Sequence, residues 1–154
     1  MIIFLNDKKI YGWTKVNENG KIVLPVTAVN DYNLVQGNGL IITFAVKSSE
    51  AIGITSGALL ENSSLSFIIK DYPGLINKSM VNKEPVMINQ KYYCGLVLNN
   101  DLTIELPPAI LKRYQLNAGD FLLITADSEF AIGLVVQGSI IKEAKKNPDL
   151  PVFS

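Results

Sequence analysis

Apolar and polar positions alternate in short runs along this chain, and the runs occur in two sets. Ile10–Val16 and Tyr92–Leu98 are rich in β-branched and aromatic residues. Each follows a tight polar turn, in Phe4–Lys8 (FLNDK) and Met87–Lys91 (MINQK), so both read as hairpins. Asn17–Gly20 and Asn99–Asp101 are the next turns, because Asn, Asp and Gly tolerate left-handed backbone. Lys21–Leu24 and Thr103–Leu106 alternate with the period of a half-buried strand. Pro25 and Pro107 end those strands, since proline cannot donate to a ladder. Short helices are predicted over Val26–Leu34 and Pro108–Leu116, with glycines near their exits at Gly37 and Gly119.

Two further strands follow in each set: Leu40–Val46 and Ala51–Thr55, then Phe121–Ala126 and Phe130–Val136. Their turns are Lys47–Glu50 and Asp127–Glu129. The segment Ser56–Glu61 parallels Gln137–Lys142, Leu65–Phe67 parallels Leu150–Phe153, and Ile140–Lys146 suits a short helix stopped before Pro148. The chain therefore repeats itself. Pro25 and Pro107, like Leu34 and Leu116, lie 82 positions apart; after a two-residue deletion Ala51 and Ala131 lie 80 apart. The repeats span about 2–67 and 86–153. The connector, about 68–85, carries turn signals and one apolar patch, Leu75–Met80. Neither repeat can cover its apolar strand faces alone, so the two should share one core within a single domain, 1–154. Val23, Leu34, Ile42, Ile104, Leu116 and Ile124 are the expected centre. Edge-to-edge pairing of the repeats would close a small barrel.

Composition narrows the function. Of 154 residues, 48% are hydrophobic and 18% charged, as in a globular protein. Lys+Arg and Asp+Glu both number 14, and Arg113 is the only arginine. That balance gives little long-range pull on nucleic acid, and it removes the side chain best suited to reading guanine edges. Without histidine, and with Cys94 as the one cysteine, no metal site, cofactor, disulfide or enzymatic centre is expected. No membrane-spanning run and no signal sequence are read, so the expected location is the cytoplasm.

The Lys15–Pro25 run (KVNENGKIVLP), with Leu34, Gly37 and Leu40–Thr43, resembles the AbrB/SpoVT/MazE family of swapped-hairpin barrels. The second set resembles it through Leu106–Asp120 and Leu122–Thr125. The tail, with Leu150–Phe153, is similar to extensions of prokaryotic members. The resemblance implies a mainly β fold with short helices: a pseudo-twofold swapped-hairpin AbrB-like barrel built from two tandem repeats in one chain. It also implies a DNA-binding transcriptional regulator, with double-stranded DNA met by basic residues on the first hairpin.

Lys15 and Lys21 match those hairpin positions, while their counterparts are Val97 and Thr103. Lys8 and Lys9 are added as neighbours that, with Lys15 and Lys21, make one basic edge; Lys112 and Arg113 are a secondary contact. DNA binding of this kind should be weak and non-specific. A solvated, edge-protecting strand face explains the same lysines. The alternatives are a protein-interaction (antitoxin-like) module and a barrel binding a small ligand in a cleft between the repeats. Tyr11, Trp13, Tyr92 and Tyr93 are candidates for such a groove or for barrel core. A monomeric pseudo-dimer is expected, with weak self-association through strand edges.

Overall fold

A computed structural model describes residues 2–37, 39–45, 50–76 and 84–154. The protein is mainly β with short helices. The first half runs β1 (Ile3–Leu5), β2 (Lys8–Lys15), a 3-10 turn (Glu18–Gly20), β3 (Lys21–Val23), α1 (Val26–Asp31), β4 (Gly39–Ala45) and β5 (Ala51–Ser56). There follow α2 (Gly57–Glu61), α3 (Ser66–Asp71) and a second 3-10 helix, Pro73–Ile76. The second half repeats the order as β6 (Val86–Ile88), β7 (Lys91–Val97), β8 (Thr103–Glu105), α4 (Pro108–Arg113), β9 (Phe121–Ser128) and β10 (Ala131–Val135). It ends in α5 (Ser139–Lys145) and β11 (Val152–Phe153).

Eight strands form an antiparallel path, β1-β2-β9-β10-β5-β4-β7-β6, with β11 added parallel to β2; β3 and β8 pair separately. Exchanging the halves reverses this order and leaves it unchanged. The registers obey the same exchange: Lys15 faces Phe121 in β2–β9, and Val97 faces Gly39 in β7–β4. Loop hydrogen bonds do too. The Gly37 and Gly119 amides donate to Leu98 O and Val16 O at 2.7 and 2.8 Å, each in the other half. The main sheet is open, since the hydrogen-bonded path begins at β1 and stops at β6.

The inner face of the sheet carries the main core. Ile42, Ile52, Ile54 and Leu96 pack with Leu122, Ile124, Ile132 and Leu134, beneath Ile22 and Ile104 of the small sheet. Leu34, Ile42, Ile104 and Ile124 are buried as expected, and Leu116 is half-buried against the same cluster. Val23 is a correction: it is half-buried, and Ile22 is the fully buried residue of β3. In an alternating strand, a one-residue error exchanges the faces.

The outer face has two covers. Helices α2 and α3, with Leu75, lie on Ile41, Ile88 and Tyr93; α5 and Leu150 lie on Ile10, Leu123 and Val135. The first half of the connector is therefore structured, with Ile68 and Leu75 at 0% and 1% exposure. The part of its apolar patch beyond Ile76, and the turn from Lys47 to Ser49, lie outside the described residues.

The helices end earlier than expected. Asn33 and Gln115, at φ 52° and 53°, break them before the glycines are reached. Both positions are polar and tolerate the left-handed region at a stop. Gly12 marks a close backbone approach and a bulge: a Cβ there would lie 2.5 Å from Pro151 O, and the β2–β9 ladder shifts register beside it.

Candidate functional site

The two-residue turn Asn6-Asp7, with φ 51° and 64°, places Lys8 and Lys9 at the start of β2. Both lysines are ion-paired there. Lys8 Nζ lies 2.9 Å from Asp127, and Lys9 Nζ lies 2.6 Å from Asp31. The Tyr11 hydroxyl also donates to Asp31, at 2.6 Å, and the Lys9 ammonium sits 5.1 Å from the Tyr11 ring centre. These donors hold the Asp31 carboxyl below the usual carboxylate range, Lys9 contributing most and Tyr11 next. Burial, followed by the bond to Asp31, pushes the Tyr11 phenol well up. Tyr32, next to Asp31, donates to Ser128 O at 2.6 Å; burial and then the charges of Asp127 and Asp31 push it up to about 12.

Lys15 and Lys21 are elsewhere. Lys15 lies six positions beyond Lys9 on one strand, roughly 20 Å at the rise of an extended chain. Lys15 is exposed beside Phe121, its ladder partner, and Lys21 faces Glu105 across β3–β8. The four lysines therefore do not make the single basic edge expected from their sequence proximity. Lys8 and Lys9 are ion-paired within the molecule, while Lys15 ends β2 and Lys21 stands on β3 opposite Glu105. Lys112 is exposed on α4. Arg113 is held inward: Nη2 donates to Ala45 O at 2.6 Å, and its guanidinium lies 5.5 and 5.7 Å from the ring centres of Phe44 and Tyr114.

Asp31 and Asp127 are the carboxylates that pair with Lys9 and Lys8, and neither pairing was read from the sequence. Asp31 offered a signal, because an acidic residue in a last helical turn opposes the helix dipole and calls for a cationic partner. Asp31 and Arg113 occupy equivalent repeat positions with opposite charge.

A cavity of about 350 Å³ lies between the repeats on the outer face. Gly53, Leu60, Lys91, Tyr93, Phe130 and Ala131 are among its lining residues. Thr55 Oγ1, also in the lining, donates to Phe130 O at 2.5 Å. Cys94 is buried on the other face of β7, and burial pushes its thiol up, so it is not poised as a nucleophile. Among the described residues, no group of three acidic or cysteine side chains converges on a possible metal position, and no helix is long and apolar enough to cross a membrane.

The fold and surfaces place the chain among mainly β proteins with short helices and an internal repeat. No family model matches the sequence, and no curated protein matches it.

Proposed function

We propose that this chain is a cytoplasmic DNA-binding transcriptional regulator of the AbrB/SpoVT kind, with two tandem swapped-hairpin repeats making a barrel-like pseudo-dimer in one molecule. The observation that carries the reading is the strand order. In it, β2 pairs with β9 and β7 with β4, so each repeat lends its terminal hairpin to the other. Duplex contact is weak and non-specific, and it falls to Lys15 and Lys21, whose ammonium groups carry no ion pair among the described residues. Backbone contact of this kind scales with the number of phosphates neutralised.

The test is titration of a labelled duplex at several salt concentrations. Lys15→Ala/Lys21→Ala should lower the salt slope by about one unit per lysine, while Lys112→Ala should leave it nearly unchanged. Equal loss from both variants would sink the assignment to β2 and β3. Tight binding that survives moderate salt would contradict the weak, backbone-only contact.

A second reading, a non-enzymatic protein-interaction module, is favoured by the neutralisation of Lys8 and Lys9 within the molecule. Absence of any duplex binding by the unaltered protein at low salt selects it.

A further inference from the structure

Lys8 and Lys91 begin β2 and β7, each directly after a two-residue turn with both residues at positive φ, Asn6-Asp7 and Asn89-Gln90. The exchange of halves makes the two lysines equivalent. Their surroundings correspond as well: Thr125 with Thr43, Gly133 with Gly53 and Asp127 with Ala45. The lysines are nevertheless answered differently. Asp127 Oδ1 lies 2.9 Å from Lys8 Nζ, and the Asp127 side chain packs beside Gly133, where an added Cβ would lie 3.1 Å from Asp127 Cβ. Across β4–β7 the ladder partner of Lys91 is Ala45, which brings no carboxylate. Lys91 is exposed and carries no ion pair among the described residues.

The cavity of about 350 Å³ lies where that carboxylate is missing, with Ala45, Gly53 and Lys91 all in its lining. The atoms nearest to a Cβ on Gly53 would belong to Thr43 and Ala131, and none to Ala45. Leu60 and Leu65 from one repeat and Phe130 from the other make much of the remaining lining apolar. Asp127 also borders the cavity, but its charge is met by Lys8. Among the described residues, the uncompensated charge in the lining is therefore that of Lys91. A volume of this size is in the range of small-molecule sites.

We propose that the cavity between the repeats binds a small monocarboxylate with an apolar body, its carboxylate on Lys91 in the place that Asp127 takes beside Lys8. The molecule holds the template in the Lys8–Asp127 pair, which differs at this point by the change from Asp127 to Ala45. The apolar lining takes the body of the acid out of water and supplies most of the affinity. Lys91, at an exposed position, selects the charge and adds less. This site goes beyond duplex contact and does not depend on it, since it uses neither Lys15 nor Lys21.

The probe is hexanoate, titrated into the whole chain and followed by the amide signals of its NMR spectrum. A saturable shift at Thr43, Ala45, Gly53 and Tyr93 is expected, with Trp13 unmoved. Its midpoint should be about 1–10 mM, from the transfer of a five-carbon apolar body out of water. Hexanamide, which keeps that body without the charge, should bind about threefold or more weakly. Lys91→Gln, a change at an exposed position, should weaken hexanoate by the same factor and leave hexanamide as it was. Ala45→Asp rebuilds the internal carboxylate, engages Lys91 and fills part of the cavity, so it should weaken hexanoate at least about tenfold. Hexanamide binding as tightly as hexanoate, an unchanged hexanoate midpoint in either variant, or no saturable shift by about 100 mM would each overturn the proposal. Tighter binding of hexylamine than of hexanoate would also overturn it, by giving the charge selection to Asp127. So would a shift centred on Trp13 instead of Gly53.

Discussion

Gly53 and Gly133 stand directly opposite each other in the β5–β10 ladder, each facing its own repeat counterpart. The same self-pairing recurs at Ile22 and Ile104 in the small sheet. The two glycines are not equally crowded. A Cβ on Gly133 would lie 2.7 Å from Thr125 Oγ1 and 3.1 Å from Asp127 Cβ, whereas one on Gly53 would meet Thr43 Cγ2 at 3.0 Å. Thr125 is fully buried and Thr43 only partly, so Thr43 has room to give. Gly133→Ala should therefore cost about 1–3 kcal/mol and Gly53→Ala less, as midpoints of urea unfolding would show. The reverse ranking would contradict the crowding argument.

Ile22 and Ile104 are both 0% exposed and face each other across the repeats. Truncating either to alanine should cost about 2–5 kcal/mol. Because they are ladder partners in one core cluster, the double variant should depart from additivity by about 0.5 kcal/mol or more. Strict additivity would mean that the halves do not share this part of the core.

Arg113→Ala should destabilise the protein by about 1–2 kcal/mol, through the lost bond to Ala45 O and the lost stacking on Phe44 and Tyr114. Arg113→Lys should recover little of this, since an ammonium cannot both stack and fork. Thermal or urea unfolding decides it. A stability change near zero, together with a lower salt slope on duplex DNA, would return Arg113 to the role of a phosphate contact.

Tyr11 and Tyr32 have phenols raised above their ordinary value, Tyr32 to about 12. The folded state thus holds both neutral while the unfolded chain ionises near 10. Their contribution is complete below that value and is lost as pH rises toward the folded values. Asp31 acts in the opposite direction. Its lowered carboxyl contributes above the ordinary carboxylate range, and the contribution is lost as pH falls through the folded value. Tyr11→Phe should flatten both limbs of a stability–pH curve, because it removes one ionising phenol and one donor to Asp31. An unchanged alkaline limb would refute the phenol assignment.

Cys94 should resist a thiol reagent in the folded protein and react fully in denaturant, as its burial and raised thiol require. Rapid labelling under native conditions would place it in an open segment.

Period, turn chemistry and repetition determined a good deal of this protein. The strand read over Ile10–Val16, the one from Phe121 onward, and the helix starts at Val26 and Pro108 are legible because each depends on neighbours in sequence. Strand faces were legible to within one position, which sufficed for Ile42 and Ile124 and failed at Val23. The helix stops at Asn33 and Gln115 were not legible, because the nearby glycines offered a stronger local signal. Tertiary structure decided the electrostatics. Lys8 and Lys9 look like part of a basic edge until strand pairing brings Asp127 from 119 positions away and α1 returns Asp31 to β2. It also decided what covers the outer face of the sheet, with Leu75 on one part and Leu150 on the other. Local sequence specifies an element through its own backbone preferences. A charge's partner and a face's cover come from segments far along the chain, and only folding brings them together.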